Sequence, residues 1–311
     1  MDKKVEISVV APVYRSAAML KELIQRITKS VSPLTENFEV ILVEDGSPDN
    51  AWAEIAKANL KDKRVRGIKF SRNFGQHNAL TAGLDMAKGS WVVMMDSDLQ
   101  DRPEEIPRLY DEAQKGFEVV LARRGKRKDS MLKKLTNRLF YLVFNLLTGM
   151  KYDNEVGGYR IMSQKVVEQL RLMREQYRFV NGLILWAGFK TSSIEVTHAK
   201  REEGKSSYSF LKLIKMAAHI ITSYSNRPLH FFVSVGFAIS SISFVFGIYY
   251  LVKVLKYGST VSGWASLIIS LYFLSGIIIM VLGVVGLYIG KIFTEVRKRP
   301  LYIISKTTDN E

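Results

Sequence analysis

The stretch Trp91-Val92-Val93-Met94-Met95-Asp96-Ser97-Asp98-Leu99-Gln100-Asp101 decides the fold. Five uncharged residues stop abruptly at two carboxylates. The run predicts a strand over Trp91–Met95 that ends at Asp96. Similar runs lie on either side. Glu6–Val10 predicts a strand leading into Ala11-Pro12-Val13-Tyr14, and Phe38–Val43 one that ends at Glu44-Asp45-Gly46-Ser47. Val65–Phe70 and Glu118–Leu121 complete the set. Between them, Leu20, Ile24, Ile27 and Val31 mark one face of a helix with Ser16 as its expected N-cap. Two more helices are expected over His77–Ala87 and Glu104–Lys115. Strands alternating with helices predict a Rossmann-like α/β domain with a mostly parallel sheet covered on both faces. In such sheets ligands lie beyond the carboxyl ends of the strands. Glu44-Asp45 and Asp96-Ser97-Asp98 both fall there.

The chemistry of those ends is acidic and oxygen-rich. Two carboxylates two residues apart suit Mg²⁺ or Mn²⁺ bridging a diphosphate, and such an ion assists a departing nucleoside diphosphate. By itself an Asp-x-Asp is also an ordinary acidic turn. The sequence holds no cysteine, which excludes disulfides, thiolate nucleophiles and Cys-ligated metals, and only 4 His.

The 311 residues suggest about two domains. The formal net charge is +15. That charge invites a nucleic-acid reading, but a mean hydropathy of +0.02 requires extremely apolar segments. Two account for it. Leu229–Val252 spans 24 residues and Trp264–Ile289 spans 26, and neither contains Lys, Arg, Asp or Glu. Both are long enough to cross a bilayer, where about 20 residues suffice. Lys291, Arg297, Lys298 and Arg299 follow the second, so the positive-inside rule places both ends in the cytoplasm. The N-terminal residues do not read as a signal peptide. Residues 121–228 carry 21 basic and 8 acidic side chains, net +13, directly before the first apolar segment. A surface facing anionic lipid or a lipid phosphate explains that placement; DNA binding explains the charge but not the helices. Met131–Leu147 carries an apolar face of Leu132, Leu135, Leu139, Val143 and Leu146, and Tyr208–Tyr224 is a second such segment. Each reads either as an interfacial helix or as a surface helix on the core.

Six motifs occur in order: Val10–Tyr14, Val43–Asp49, Ser71-Arg72-Asn73-Phe74-Gly75-Gln76-His77, Asp96–Gln100, Gly158-Tyr159-Arg160, and Arg201–Phe210 with its Gly204-Lys205-Ser206-Ser207-Tyr208 centre. In this order they resemble the glycosyltransferase family 2 enzymes of GT-A fold. The likeness is strongest to the branch that glycosylates polyprenyl phosphates, which includes dolichol-phosphate mannose synthase, bactoprenol glucosyltransferases and undecaprenyl-phosphate aminoarabinose transferase. It extends over nearly the whole chain.

The resemblance implies inverting transfer of one sugar from a nucleotide sugar, UDP-linked, to undecaprenyl phosphate, in aid of cell-envelope glycan modification. It implies a catalytic domain over 1–228, membrane helices over 229–252 and 264–289, and a cytoplasmic tail over 290–311, in a multi-pass protein of the plasma membrane. Pro12, Val13, Tyr14 and Asp45 would hold the nucleoside. Asp96, Asp98 and Gln100 would bind the metal and the donor diphosphate and carry catalysis. Arg72 and Gln76 would line the donor site, and Arg201 and Ser206 would close over the phosphates. Arg124, Arg127, Lys134 and Arg138 would face the acceptor phosphate. That phosphate is largely dianionic at neutral pH and needs no strong base. Two positions depart from the pattern. Arg15-Ser16 stand where relatives often have Asn-Glu, and Gly158 stands where many have Asp. Glu155 or Asp153 could substitute for the latter.

Other readings stay open. A processive polysaccharide synthase would carry Gln-x-x-Arg-Trp, and Gln176-Tyr177-Arg178-Phe179 is not that motif. A membrane scaffold with a vestigial pocket would have no use for an intact Asp-x-Asp-x-Gln. A homo-oligomer, a tetramer, is a further expectation. It rests on small residues at Gly283, Gly286 and Gly290 and on Leu301–Ile304, a β-prone segment that either joins a neighbour's sheet or packs on its own subunit.

Overall fold

The computed structural model describes residues 5–124, 156–197, 227–257 and 263–310. These fall into two compact units. The first contains the described residues up to 197 together with 299–310, and the second contains two long helices.

The first unit is built on one eight-stranded sheet, ordered β7-β5-β6-β4-β1-β2-β3-β8. Its strands are β1 Ile7–Val13, β2 Phe38–Glu44, β3 Val65–Phe70, β4 Trp91–Met94, β5 Val119–Arg124, β6 Val156–Ser163, β7 Thr191–Val196 and β8 Ile304–Thr307. β1 runs parallel to β2 and β4, β2 to β3, and β5 to β7. The antiparallel strand β6 joins β4 to β5. Every residue of β1 and β2 is buried, as two-sided coverage demands of central strands.

The covering helices are α1 Ala17–Val31, α2 Ala51–Lys61, α3 Gln76–Met86, α4 Ile106–Ala113, α5 Gln164–Leu172 and α6 Val180–Ala187. On one face, Leu20, Leu23, Ile27 and Val31 of α1, Ile55 of α2 and Ile106 and Leu109 of α4 enclose Val9, Val40, Leu42 and Val93. On the other, α3 packs on β1 and β2, with Gly83 against Val10 and Val43. The helix expected over Glu104–Lys115 opens as a 3-10 turn at Pro103–Glu105 before becoming α4. Ser16 occupies the N-cap position of α1 but does not cap it with its side chain. The Ala17 amide donates instead to Asp49 Oδ2 at 2.9 Å.

The tail resolves the alternative left open by the sequence. β8 pairs antiparallel with β3 of its own chain, with Ile68 opposite Thr307. The expectation that this segment joins a neighbour's sheet is thereby corrected. The strand is Ile304–Thr307 rather than Leu301–Ile304 because its side-chain partners lie further on. Thr308 Oγ1 accepts the Gly67 amide at 2.9 Å, and Asp309 pairs with Arg66 at 2.7 Å.

The second unit consists of α7 Arg227–Tyr257 and α8 Trp264–Val296. Both apolar segments of the sequence are single helices. Among the described residues one stretch, Phe273–Val296, is long and apolar enough to cross a membrane by length and composition, and none of it is buried.

Candidate active site

Three loops converge beyond the carboxyl ends of β1, β2 and β4. The first follows β1. Tyr14 is exposed, and the Arg15 guanidinium lies 5.4 Å from its ring centroid. Arg15 has φ 56°, a left-handed conformation costly for a side chain of this size. Asn, which the family resemblance leads one to expect there, adopts it more readily. The Arg15 amide donates to Ser47 Oγ at 2.8 Å, and the Ser47 hydroxyl donates to Asp49 Oδ1 at 2.5 Å. Burial pushes the Asp49 carboxyl up, but the Ser47 hydroxyl and the Ala17 and Ala51 amides outweigh it and hold it low. Ser16 Oγ lies 2.9 Å from Ser97 Oγ, which ties this loop to the Asp-Ser-Asp turn.

The second loop follows β2. Asp45 is buried, and its Oδ1 and Oδ2 accept the Phe74 and Gly75 amides at 2.6 and 2.9 Å. Asn73 Nδ2 donates to the Asp45 carbonyl at 2.9 Å. Asp45 therefore holds the 71–75 loop at the start of α3. Burial raises its pKa, opposed by those two amides and by the Arg72 charge. Neighbouring Glu44 is also raised by burial; it accepts the Ser47 amide through Oε1. Pro12 and Val13 lie within β1, paired with Val43 and Glu44. Arg72 is exposed and lies 4.0 Å from the Phe74 ring centroid.

Gly46 is the tightest point. It has φ 59°, and an added Cβ would lie 2.3 Å from the Asn73 backbone nitrogen. Gly46→Ala is expected to cost about 1–2 kcal/mol from the left-handed conformation alone. It should also push the 71–75 loop away. A lower melting temperature together with a raised KM for donor is the expected result; unchanged values of both would contradict it.

The third loop follows β4. Gln76 Nε2 donates to Asp96 Oδ1 at 2.6 Å, and the Asp96 amide donates to Asp101 Oδ2 at 3.0 Å. Asp98 Oδ2 accepts Gln100 Nε2 at 2.6 Å, and its Oδ1 accepts the Gln100 amide at 3.2 Å. Each aspartate is thus gripped by a glutamine. Leu99, between Asp98 and Gln100, has φ 60°, the second left-handed non-glycine residue at these strand ends. A Cβ on Gly158 would come 3.8 Å from Asp96 Oδ1, so the Asp that relatives place there would face this carboxylate.

Among the described residues no group of three His, Asp or Glu gathers as a metal cluster. Of the three residues expected to hold a metal, Asp96 and Asp98 offer carboxylates, and Gln100 adds a side-chain amide. The carboxylate oxygens are hard and anionic and fit a divalent cation that completes its shell with water and phosphate. Gln100 uses its amide nitrogen to orient Asp98.

Sequence reasoning missed Gly46, Ser47, Asp49 and Asn73 as builders of the site. A Ser two residues before an Asp after a strand is a turn signal that pointed to Ser47 and Asp49. It also missed His77, whose buried Nδ1 has no hydrogen-bond partner among the described residues. Burial and the nearby Arg160 and Arg178 charges lower its pKa to about 4. Gln176 Nε2 donates to the Arg299 carbonyl at 2.6 Å. Arg124 ends β5. Arg127, Lys134, Arg138, Asp153, Glu155, Arg201 and Ser206 lie outside the described residues, as do the segments 131–147 and 208–224.

A doubly covered, mostly parallel sheet with paired carboxylates beyond its fourth strand defines a transferase domain of the GT-A type. The chain belongs to the Glycosyl transferase family 2, whose sequence pattern matches residues 8–171, and it is a glycosyltransferase. It is 37% identical over 303 residues to the SfII prophage-derived bactoprenol glucosyl transferase of Shigella flexneri, covering 97% of this chain and 98% of that one. It is 36% identical over 304 residues to the undecaprenyl-phosphate 4-deoxy-4-formamido-L-arabinose transferase of Proteus mirabilis, covering 97% and 93%. Its fold is similar to that of M. tuberculosis glucosyl-3-phosphoglycerate synthase, with TM-score 0.50, 20% identity, and 70% and 78% of the two chains covered.

Proposed function

We propose that the protein transfers one sugar, with inversion, from a UDP-sugar to a polyprenyl phosphate at the cytoplasmic face of the plasma membrane. The observation that carries this is the pair Asp96 and Asp98, each held by a glutamine at the end of β4. Two relatives at 36–37% identity are named for polyprenyl-lipid transfer, which supports the acceptor. In the reaction the acceptor phosphate oxygen forms a bond to the anomeric carbon. The bond from that carbon to the diphosphate breaks, and UDP leaves.

Asp96 and Asp98 would hold Mg²⁺ or Mn²⁺, which when bound offsets charge on the departing diphosphate. Gln76 and Gln100 keep the two carboxylates aimed. The 71–75 loop, fixed by Asp45, lines the nucleotide side with Arg72. Arg201 and Ser206 close over the phosphates. Arg124, Arg127, Lys134 and Arg138 hold the acceptor dianion. The two apolar helices cross the bilayer and return the chain to its starting side. The Phe273–Val296 stretch and the charge-free run at 229–252 support this. A homotetramer completes the proposal, supported by the glycines of α8 and no longer by the tail.

The test is transfer by the full chain from a panel of nucleotide sugars to undecaprenyl phosphate. Lipid-linked product from a UDP-sugar is expected. Product with none of the panel, or only with a soluble acceptor, would refute it. Arg124→Ala is expected to raise the acceptor KM by about 10- to 100-fold and leave the donor KM within about twofold, since a charge-assisted phosphate contact contributes about 1.5–3 kcal/mol. Equal changes in both would remove Arg124 from the acceptor site.

A further inference from the structure

The tail does more than complete a sheet edge. The Tyr302 ring stacks on Phe70, with centroids 5.2 Å apart and planes at 12°. Phe70 meets Phe74 edge-on at 5.6 Å. The Phe74 amide is the one that donates to Asp45 Oδ1. On its other side, the Tyr302 hydroxyl donates to Asp85 Oδ2 at 2.7 Å. Arg174 holds the same carboxylate with two hydrogen bonds, at 2.8 and 3.0 Å. Asp85 belongs to α3, whose first residue, Gln76, grips Asp96. The Ser71 amide donates to the Ile303 carbonyl at 3.0 Å.

Tyr302 therefore touches both supports of the five-residue loop 71–75. It meets the end of β3 before the loop and α3 after it. By chain connectivity the tail starts three residues after α8 ends at Val296.

We propose that residues 299–310 form a strap that sets the nucleotide-side loop 71–75, with Tyr302 as its positioning residue. The proposal rests on the reading of Asp45, Arg72 and Gln76 as donor-side groups. Tyr302 does not touch substrate; it acts through Phe70, Phe74 and Asp85. Removing the ring frees the loop. Removing only the hydroxyl leaves the stack in place. Asp85 keeps Arg174 in either case.

The test uses the full chain in detergent with Tyr302→Ala and Tyr302→Phe. Two quantities are read in each: amide hydrogen exchange over 71–76, with α2 as the internal reference, and affinity for UDP with Mg²⁺. In Tyr302→Ala, exchange over 71–76 should rise while α2 is unchanged, and UDP binding should weaken about tenfold, near the upper worth of one aromatic pair. Tyr302→Phe should stay within about twofold of the parent, because the stacked ring is retained. Unchanged exchange in Tyr302→Ala overturns the strap, as does an equal rise in α2 or an equal loss in Tyr302→Phe. Should Tyr302→Ala not accumulate, Tyr302→Leu, which fills the space without a ring, is held to the same outcomes. Raised loop exchange in a protein whose parent form binds neither UDP nor any other nucleotide overturns the donor-site reading and leaves the strap standing.

Discussion

Asp98→Ala is expected to lower kcat/KM for sugar transfer by about 10³-fold while leaving the fold intact. Losing a group that stabilises transition-state charge costs about 10²–10³ in kcat, and in the proposed reaction Asp98 would help hold the cation that offsets charge on the diphosphate. Asp98 is partly exposed and accepts hydrogen bonds from the Gln100 amide and side chain, so its loss leaves no buried group stranded. Asp98→Asn, which keeps the shape and loses the charge, should fall nearly as far. Asp96→Ala should be as severe and should also loosen Gln76 at the start of α3. The measurement is initial rate against donor concentration in magnesium, with far-ultraviolet circular dichroism to show that the variants fold. Near-normal transfer by Asp98→Ala would remove the carboxylate pair from the mechanism.

The second large effect lies at the opposite end of the sheet. Glu39 is buried at 4% exposure and accepts Ser8 Oγ at 2.7 Å, the Lys88 amide at 2.7 Å and Arg66 Nη1 at 2.6 Å. Glu39→Ala leaves the Ser8 hydroxyl and the Lys88 amide without this acceptor and takes one of its two carboxylates from Arg66. Breaking a buried pair by removing one partner costs about 3–5 kcal/mol. Arg66 retains Asp309 at 2.7 Å, which puts the expected loss at the lower end. The urea midpoint of the full chain, followed by tryptophan emission, should drop sharply while transfer by the surviving folded protein is unchanged. A midpoint equal to that of the parent would show that this network does not hold the sheet.

The central strands were legible because they are buried on both faces: Glu6–Val10 and Phe38–Val43 read as strands within one to three residues of the observed ends, and Val65–Phe70 was bounded correctly at both ends, whereas β6 and β7 were not read as strands. The carboxylate pair was legible because it closes an apolar run. What stayed hidden was every decision made by a distant residue. Ser16 looked like a cap because sequence shows only neighbours, yet the cap on α1 comes from Asp49, 32 residues away. The tail was readable as β-prone but not as a partner of β3, since its register is set by Thr308 and Asp309 against Gly67 and Arg66. The need for glycine at position 46 was invisible without Asn73 beside it. Likewise the grip of Gln76 on Asp96 joins residues 20 apart, in two different motifs.

The pairing of β3 with β8 also has a consequence for biosynthesis. Ile68 and Thr307 meet across about three quarters of the sequence, with both long helices between them. At about 5–20 residues per second, a ribosome reaches β8 roughly ten to fifty seconds after β3. During that interval the outer edge of β3 presents unpaired amides and carbonyls, the kind of edge that recruits wrong strands. Until β8 has been made, that edge of the nascent chain is open to mispairing, and the arrival of β8 closes it.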